Sequence, residues 1–144
     1  MSAEELRGDD RPALILTAGQ AVPGKPLAEL SPEERMQRRW PQPVRVGDLI
    51  GLRVLDFDDR TLGYVHSVVR TPEGKIWLIV PYGGLLGWGR RPVAVPIEAM
   101  AIAGRQLAAL DMTPAEFDAA PAWNDPASRV LPASDVIRIG LYRR

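Results

Sequence analysis

The chain has 144 residues, 46% of them hydrophobic, and its 18 basic side chains balance 18 acidic ones. That length holds one hydrophobic core and a tail, and the zero net charge removes any general attraction to nucleic acid or anionic membrane. With no cysteine and a single histidine, disulfide frameworks, thiolate metal sites and thiol nucleophiles are excluded.

The first residues, MSAEELRGDD, are acidic where a secretory leader is basic, and the apolar run at 13–16 is too short for a leader core. No stretch approaches the roughly 20 apolar residues of a membrane span. A soluble, cytoplasmic protein is expected, with the periplasm as the alternative for a chain whose leader has been removed. Residues 1–43 carry Pro12, Pro23, Pro26, Pro32, Pro41 and Pro43 with little periodicity, which reads as an extended arm. One helix interrupts it. In SPEERMQRRW, Ser31 is the cap, Pro32 suits the first helical position and Glu34 completes a capping box. Arg35, Arg38 and Arg39 with Trp40 form either a solvated face or a basic, aromatic contact surface. The arm folds onto its own domain or onto a second copy, the latter giving a homo-oligomer, and the sequence leaves both open.

From 44 to 110 the signals are those of strands and tight turns. Apolar, β-branched runs are separated by the turn-rich clusters DFDDRT and TPEG. One strand lies around Val54, one over 62–69, and a third over 76–80 that is apolar throughout, as expected when both faces are covered. RPVAVPI makes a fourth, with Pro92 and Pro96 at its ends, and MAIAGRQLAAL two more joined at Gly104 and Arg105. Five or six short strands with almost no helix favour a small antiparallel β-barrel. Its expected core is Ile50, Val54, Val65, Val69, Ile76, Leu78, Val80, Val93, Val95, Ile102 and Leu107.

The C-terminal third repeats the capping device in MTPAEFDAAPAW, with Thr113 as cap, Pro114 at the first position, Glu116 closing the box, Phe117 as the inward anchor and Pro121 as the stop. NDPASRVLPASD reads as loop. VIRIGLYRR alternates Val136, Arg138 and Gly140 against Ile137, Ile139 and Leu141, a final strand, with Arg143 and Arg144 in solvent.

The stretch GGLLGWGRRPVAVP, residues 83–96, raises the question of a phosphate loop. Gly83, Gly84, Gly87 and Gly89 do not have the dinucleotide spacing, no Lys-Ser/Thr pair follows, and Pro92 and Pro96 forbid the required helix. The glycines instead turn a sheet, with at least one residue of 83–89 at positive φ. His66 lacks the companions of a metal site, Asp56, Asp58 and Asp59 lack the glycine and distal glutamate of a calcium loop, and Ser67 has no nucleophile motif around it. No catalytic residue, cofactor or metal ligand is assigned, and the protein is not expected to be an enzyme.

Read together, Leu49, Ile50 and Gly51, then Leu62-Gly63-Tyr64-Val65, then GGLLGWGRRPVAVP resemble the motifs L-I-G, I-G-x-V and GGFLGIGERPVAVP of the PRC-barrel family, named for the cytoplasmic domain of the photosynthetic reaction centre H subunit. LDMTPAEFDAAPAW is similar to a segment these proteins often carry. The resemblance covers 44–123 and implies a PRC-barrel-like domain there, preceded by the 1–43 arm and followed by a loop and strand at 124–144. It also implies a non-catalytic protein-binding or assembly module. These residues contain neither a membrane helix like that of the reaction centre subunit nor a preceding barrel like that of the ribosome maturation factor, so neither specific role is expected to transfer. The expected partner-binding residues are Tyr82, Trp88, Arg90 and Arg91, because tryptophan and arginine concentrate binding energy. The bland reading is that Trp88 covers the barrel end while the arginines are solvated or pair with DFDD. A protein partner is expected and nucleic acid is not. The alternative function is a small-molecule or enzymatic domain using the barrel interior or a groove under the arm.

Overall fold

A computed structural model describes residues 29–84 and 88–142. Most of the expected arm (1–28), the middle of the glycine stretch (85–87) and the terminal Arg143 and Arg144 lie outside the described residues. In chain order the elements are α1 (Pro32–Gln37), β1 (Gln42–Arg45), α2 (Val46–Leu49), β2 (Arg53–Leu55), β3 (Thr61–Tyr64), β4 (Ser67–Arg70), β5 (Ile76–Tyr82), β6 (Arg91–Pro96), a 3₁₀ turn (Ile97–Ala99), β7 (Met100–Ala103), β8 (Gln106–Ala109), α3 (Pro114–Ala119), β9 (Arg129–Val130) and β10 (Val136–Leu141). The fold is mainly β, and among the described residues no helix is long and apolar enough to cross a membrane.

Both capped helices start where their residues direct. Ser31 Oγ accepts from Glu34 N at 3.1 Å while Glu34 Oε1 accepts from Ser31 N at 2.8 Å. Thr113 and Glu116 make the same reciprocal pair at 3.2 and 2.8 Å. Each box satisfies donors that a helix start otherwise leaves bare.

The strands form two sheets, one of four in the order β9-β4-β5-β6 and one of six in the order β1-β10-β7-β8-β2-β3. Their ladders do not close into one hydrogen-bonded cylinder. The four-stranded sheet is antiparallel throughout. In the larger sheet, β10 pairs with β7 and β2 pairs with β8 in parallel, which corrects the expectation of a purely antiparallel architecture. Alternating side chains look the same in either direction, so strand polarity is not written in them.

The strand expected over 62–69 is two strands, a second correction. Val65 exchanges backbone bonds with Gly51 and Leu52, whereas His66 N donates to Ile79 O at 2.8 Å. The chain therefore steps from the larger sheet to the smaller one between these two residues. Just before the step the sheets meet closely, for a Cβ on Gly63 would fall 2.7 Å from Val80 Cγ1. Eight strands in 42–109 thus replace the expected five or six.

One core lies between the sheets. Val54, Val65, Leu78, Val80, Val93, Val95 and Leu107 are all in it, as expected, and Ile76 and Ile102 pack at its margin. Val69 is buried as well. Ile50 is a correction at 42% exposed, because the α2 turn breaks strand alternation and turns Val46 and Leu49 inward instead. Met100 and Leu131 complete the core together with Phe117, Ile137 and Ile139.

On the smaller sheet, Pro92 and Pro96 of β6 offer no N–H. Trp123 N donates to Pro92 O at 2.7 Å, and its ring lies 6.0 Å from that of Trp77. Chain beyond α3 thereby covers an edge that proline already makes poor at pairing.

Candidate interaction surface at the glycine loop

The hairpin of β5 and β6 ends at the cross-strand pair Tyr82 and Arg91, and the glycine stretch joins them. Gly83, Gly84 and Gly89 all have positive φ, at +80°, +81° and +74°. Gly84 is required twice over, since a Cβ there would run into the backbone carbonyl of Trp88 and fall 2.9 Å from Arg90 N. The loop folds back on itself through that contact. It leads from strand to strand, so no helix N-terminus is presented to a phosphate.

The four residues singled out from sequence separate into two pairs. Tyr82 and Arg91 form the base of the loop and are tied inward. Arg91 Nε donates to Ala120 O at 2.9 Å, and its Nη2 donates to Phe117 O and Asp118 O, both at 2.7 Å. These carbonyls lie at and just beyond the C-terminal end of α3, where Phe117 O also accepts from Ala120 N at 3.3 Å, and a cation is favoured there by the helix dipole. The guanidinium carbon sits 5.6 Å above the Tyr82 ring, which packs 5.2 Å from Phe117. Tyr82 Oη donates to Asp118 Oδ1 at 2.5 Å. That hydrogen bond, with burial and the Asp118 charge, raises the phenol above the usual tyrosine range against the opposing effect of Arg91.

Trp88 and Arg90 are the other pair. Trp88 is 81% exposed and Arg90 is exposed, so both stand away from the brace that holds the loop. Asp118 and the carbonyls of Phe117 and Ala120 are site residues that sequence reasoning missed. The available signal was the short helix ended by Pro121, which must leave carbonyls needing a donor.

The remaining polar candidates are structural or solvated. Asp56 is 8% exposed, and its Oδ1 accepts from Asp58 N at 2.8 Å and Arg60 N at 2.9 Å, which closes the DFDDR turn on itself. Asp59 takes the left-handed position of that turn at φ +61°. His66 is exposed at the step between sheets.

Strands β1 to β8, the two sheets they enter and the glycine hairpin coincide with a known domain: residues 43–108 match the family model of the PRC-barrel domain. That span is similar to a PRC-barrel domain. No curated protein matches it. The matched span stops inside β8, yet β10 lies between β1 and β7 of the larger sheet, and Phe117, Leu131, Ile137 and Ile139 are core residues. The two-sheet fold is completed by chain that follows the matched span.

Proposed function

We propose that the protein is a non-catalytic interaction or assembly module, in which the two sheets act as a barrel-like scaffold and the glycine loop presents Trp88 and Arg90 to a protein partner. The observation that carries this reading is the contrast within the loop. Its base is fixed by three hydrogen bonds from Arg91, while its indole is 81% exposed. A large ring with little side-chain entropy, held on a braced support, loses little freedom on binding. Arginine beside it can stack on an aromatic ring or grip a carboxylate in two places. The partner surface is therefore acidic or mixed.

The test is capture from the native cell with the wild-type protein and with W88A/R90A. The double variant should melt within about 0.5 kcal/mol of wild type, as exposed positions do, while the partner recovered by wild type is lost. Undiminished recovery would sink the proposal. Strong, salt-sensitive binding to generic RNA would replace the protein partner by nucleic acid.

A further inference from the structure

The two edges of the smaller sheet are finished differently. On one side β6 carries Pro92 and Pro96 and is covered where Trp123 N donates to Pro92 O. On the other side β9 contains no proline, and among the described residues no strand lies beyond it. Arg129 pairs with Arg70 of β4, and Leu131 N donates to Val68 O at 2.8 Å. Backbone groups alternate in direction along a strand, so Val130, between these two, turns its N–H and C=O to the open edge. Its side chain is 64% exposed.

The second anomaly there is one of charge. Arg129 and Arg70 stand directly opposite each other on one face, with Cα atoms about 5.5 Å apart as in any hydrogen-bonded antiparallel pair. Like charges so placed repel. Among the described residues no carboxylate lies within ion-pair distance of either. Asp125, just before β9 in the chain, is engaged locally, its Oδ1 accepting from Ala127 N at 3.0 Å and its Oδ2 from Ser128 Oγ at 2.8 Å. On the opposite face Val130 neighbours Val69, which neighbours Trp77. An apolar row thus runs to the edge and stops at an exposed valine.

We propose that β9 receives an added strand from an acidic, extended segment of a protein partner, with an apolar residue facing Val130 and a glutamate or aspartate next to it facing Arg129. The segment's main chain supplies the donor and acceptor that Val130 turns outward. Its apolar side chain lengthens the row of Val130, Val69 and Trp77, and its carboxylate offsets the repulsion between Arg129 and Arg70. A nucleic-acid phosphate would meet the arginines and leave the valine and its backbone unmatched. Peptide is the better fit. This edge lies across the sheet from β6 and the glycine loop, so the two contacts are separate.

The experiment titrates full-length protein with three end-capped peptides: Thr-Val-Glu-Val-Glu-Val-Thr, the same peptide with lysine in place of glutamate, and the glutamate peptide methylated on its valine nitrogens. NMR follows the amide signals of Arg129 and Val130 and the hydrogen exchange of Val130. The glutamate peptide should move both signals and slow exchange at Val130, while the lysine and methylated peptides should each bind at least about tenfold more weakly. Arg129→Gln removes one of two like charges and so should melt no lower than wild type, yet it should cut the preference for glutamate over lysine to about threefold or less. Equal affinity for the glutamate peptide and either of the others, or binding without slower exchange at Val130, would overturn the proposal. So would protection of Val130 that rises with protein concentration in the absence of peptide, which would assign the edge to a second copy. An oligouridylate that moves the same signals more strongly than the glutamate peptide would overturn it in favour of nucleic acid. The readout sits at Val130 and the capture experiment reads Trp88, so failure of one leaves the other standing.

Discussion

Helices α1 and α3 share one blueprint and differ in how they are held. Each is six residues long, opens with a hydroxyl cap and proline, and closes the same reciprocal box through glutamate. α3 places Phe117 in the core with no exposed surface, and Arg91 holds its C-terminal carbonyls. α1 buries no side chain. It is fastened from outside, where Asp111 receives Arg39 at 2.9 Å and Arg35 at 3.6 Å, and where Arg39 Nη1 donates to Glu98 O at 3.2 Å. A helix of this length is marginal alone, so the difference in anchorage should appear as a difference in stability. One is part of the folding core and the other is clasped to its surface.

Phe117→Ala should produce the largest effect, a loss of about 3–5 kcal/mol from transfer and cavity costs, lowering the melting of the entire domain. If only α3 loosened while the sheets melted as in wild type, the division into core and clasped helix would fail. Arg91→Ala should follow at about 2–3 kcal/mol, since charge-assisted bonds to three carbonyls disappear. Hydrogen exchange should locate that loss in α3 and the glycine hairpin.

Asp111→Ala should cost less, about 1–2 kcal/mol, and should be read locally. Amides of α1 are expected to exchange freely while those of β5 and β6 keep their protection. Equal deprotection of both would show that α1 belongs to the core. The caps come next: Ser31→Ala and Thr113→Ala should each remove about 1 kcal/mol of helix stability, with only the second lowering global melting.

The smallest effect concerns pH. Hydrogen bonds from Thr113 hold the Glu116 carboxyl below its ordinary value. Its contribution is therefore present above the unfolded carboxylate range and fades as pH falls through the lower, folded value. Acid titration of Glu116→Gln should lack that component. The sign is opposite for Tyr82, whose phenol is raised: the bond to Asp118 persists through the ordinary tyrosine range and is lost as pH climbs through the higher folded value. Tyr82→Phe should flatten the alkaline limb of the stability curve.

Much of the candidate surface was legible because it rests on local chemistry. Glycines in series announced positive φ, and Gly83, Gly84 and Gly89 adopt it. Phe117 stood out as the apolar residue on a short capped helix and is fully buried. The two arginines of GRRP, by contrast, read alike in sequence and do unlike things. Arg90 is exposed, whereas Arg91 bonds to carbonyls 26 to 29 residues further along the chain. Nothing within a few residues of either distinguishes them. Ile50 failed for a related reason, because one helical turn at 46–49 shifts the phase of everything counted from it.

By itself the sequence determined where the two capped helices begin, that the glycine stretch needs positive φ, that β6 can carry proline at its ends, and which residues of β5 and β6 seek the core. Capping, φ restriction and period-two burial act over a few residues, and each leaves its mark in the residues that perform it. Only the tertiary structure decided which strands are neighbours, that two of the pairings are parallel, that the chain changes sheets between Val65 and His66, and that Arg91 serves a helix it does not adjoin. Those choices are made by contacts distant in sequence, and a side chain's letter records its chemistry without recording the partner that chemistry will meet.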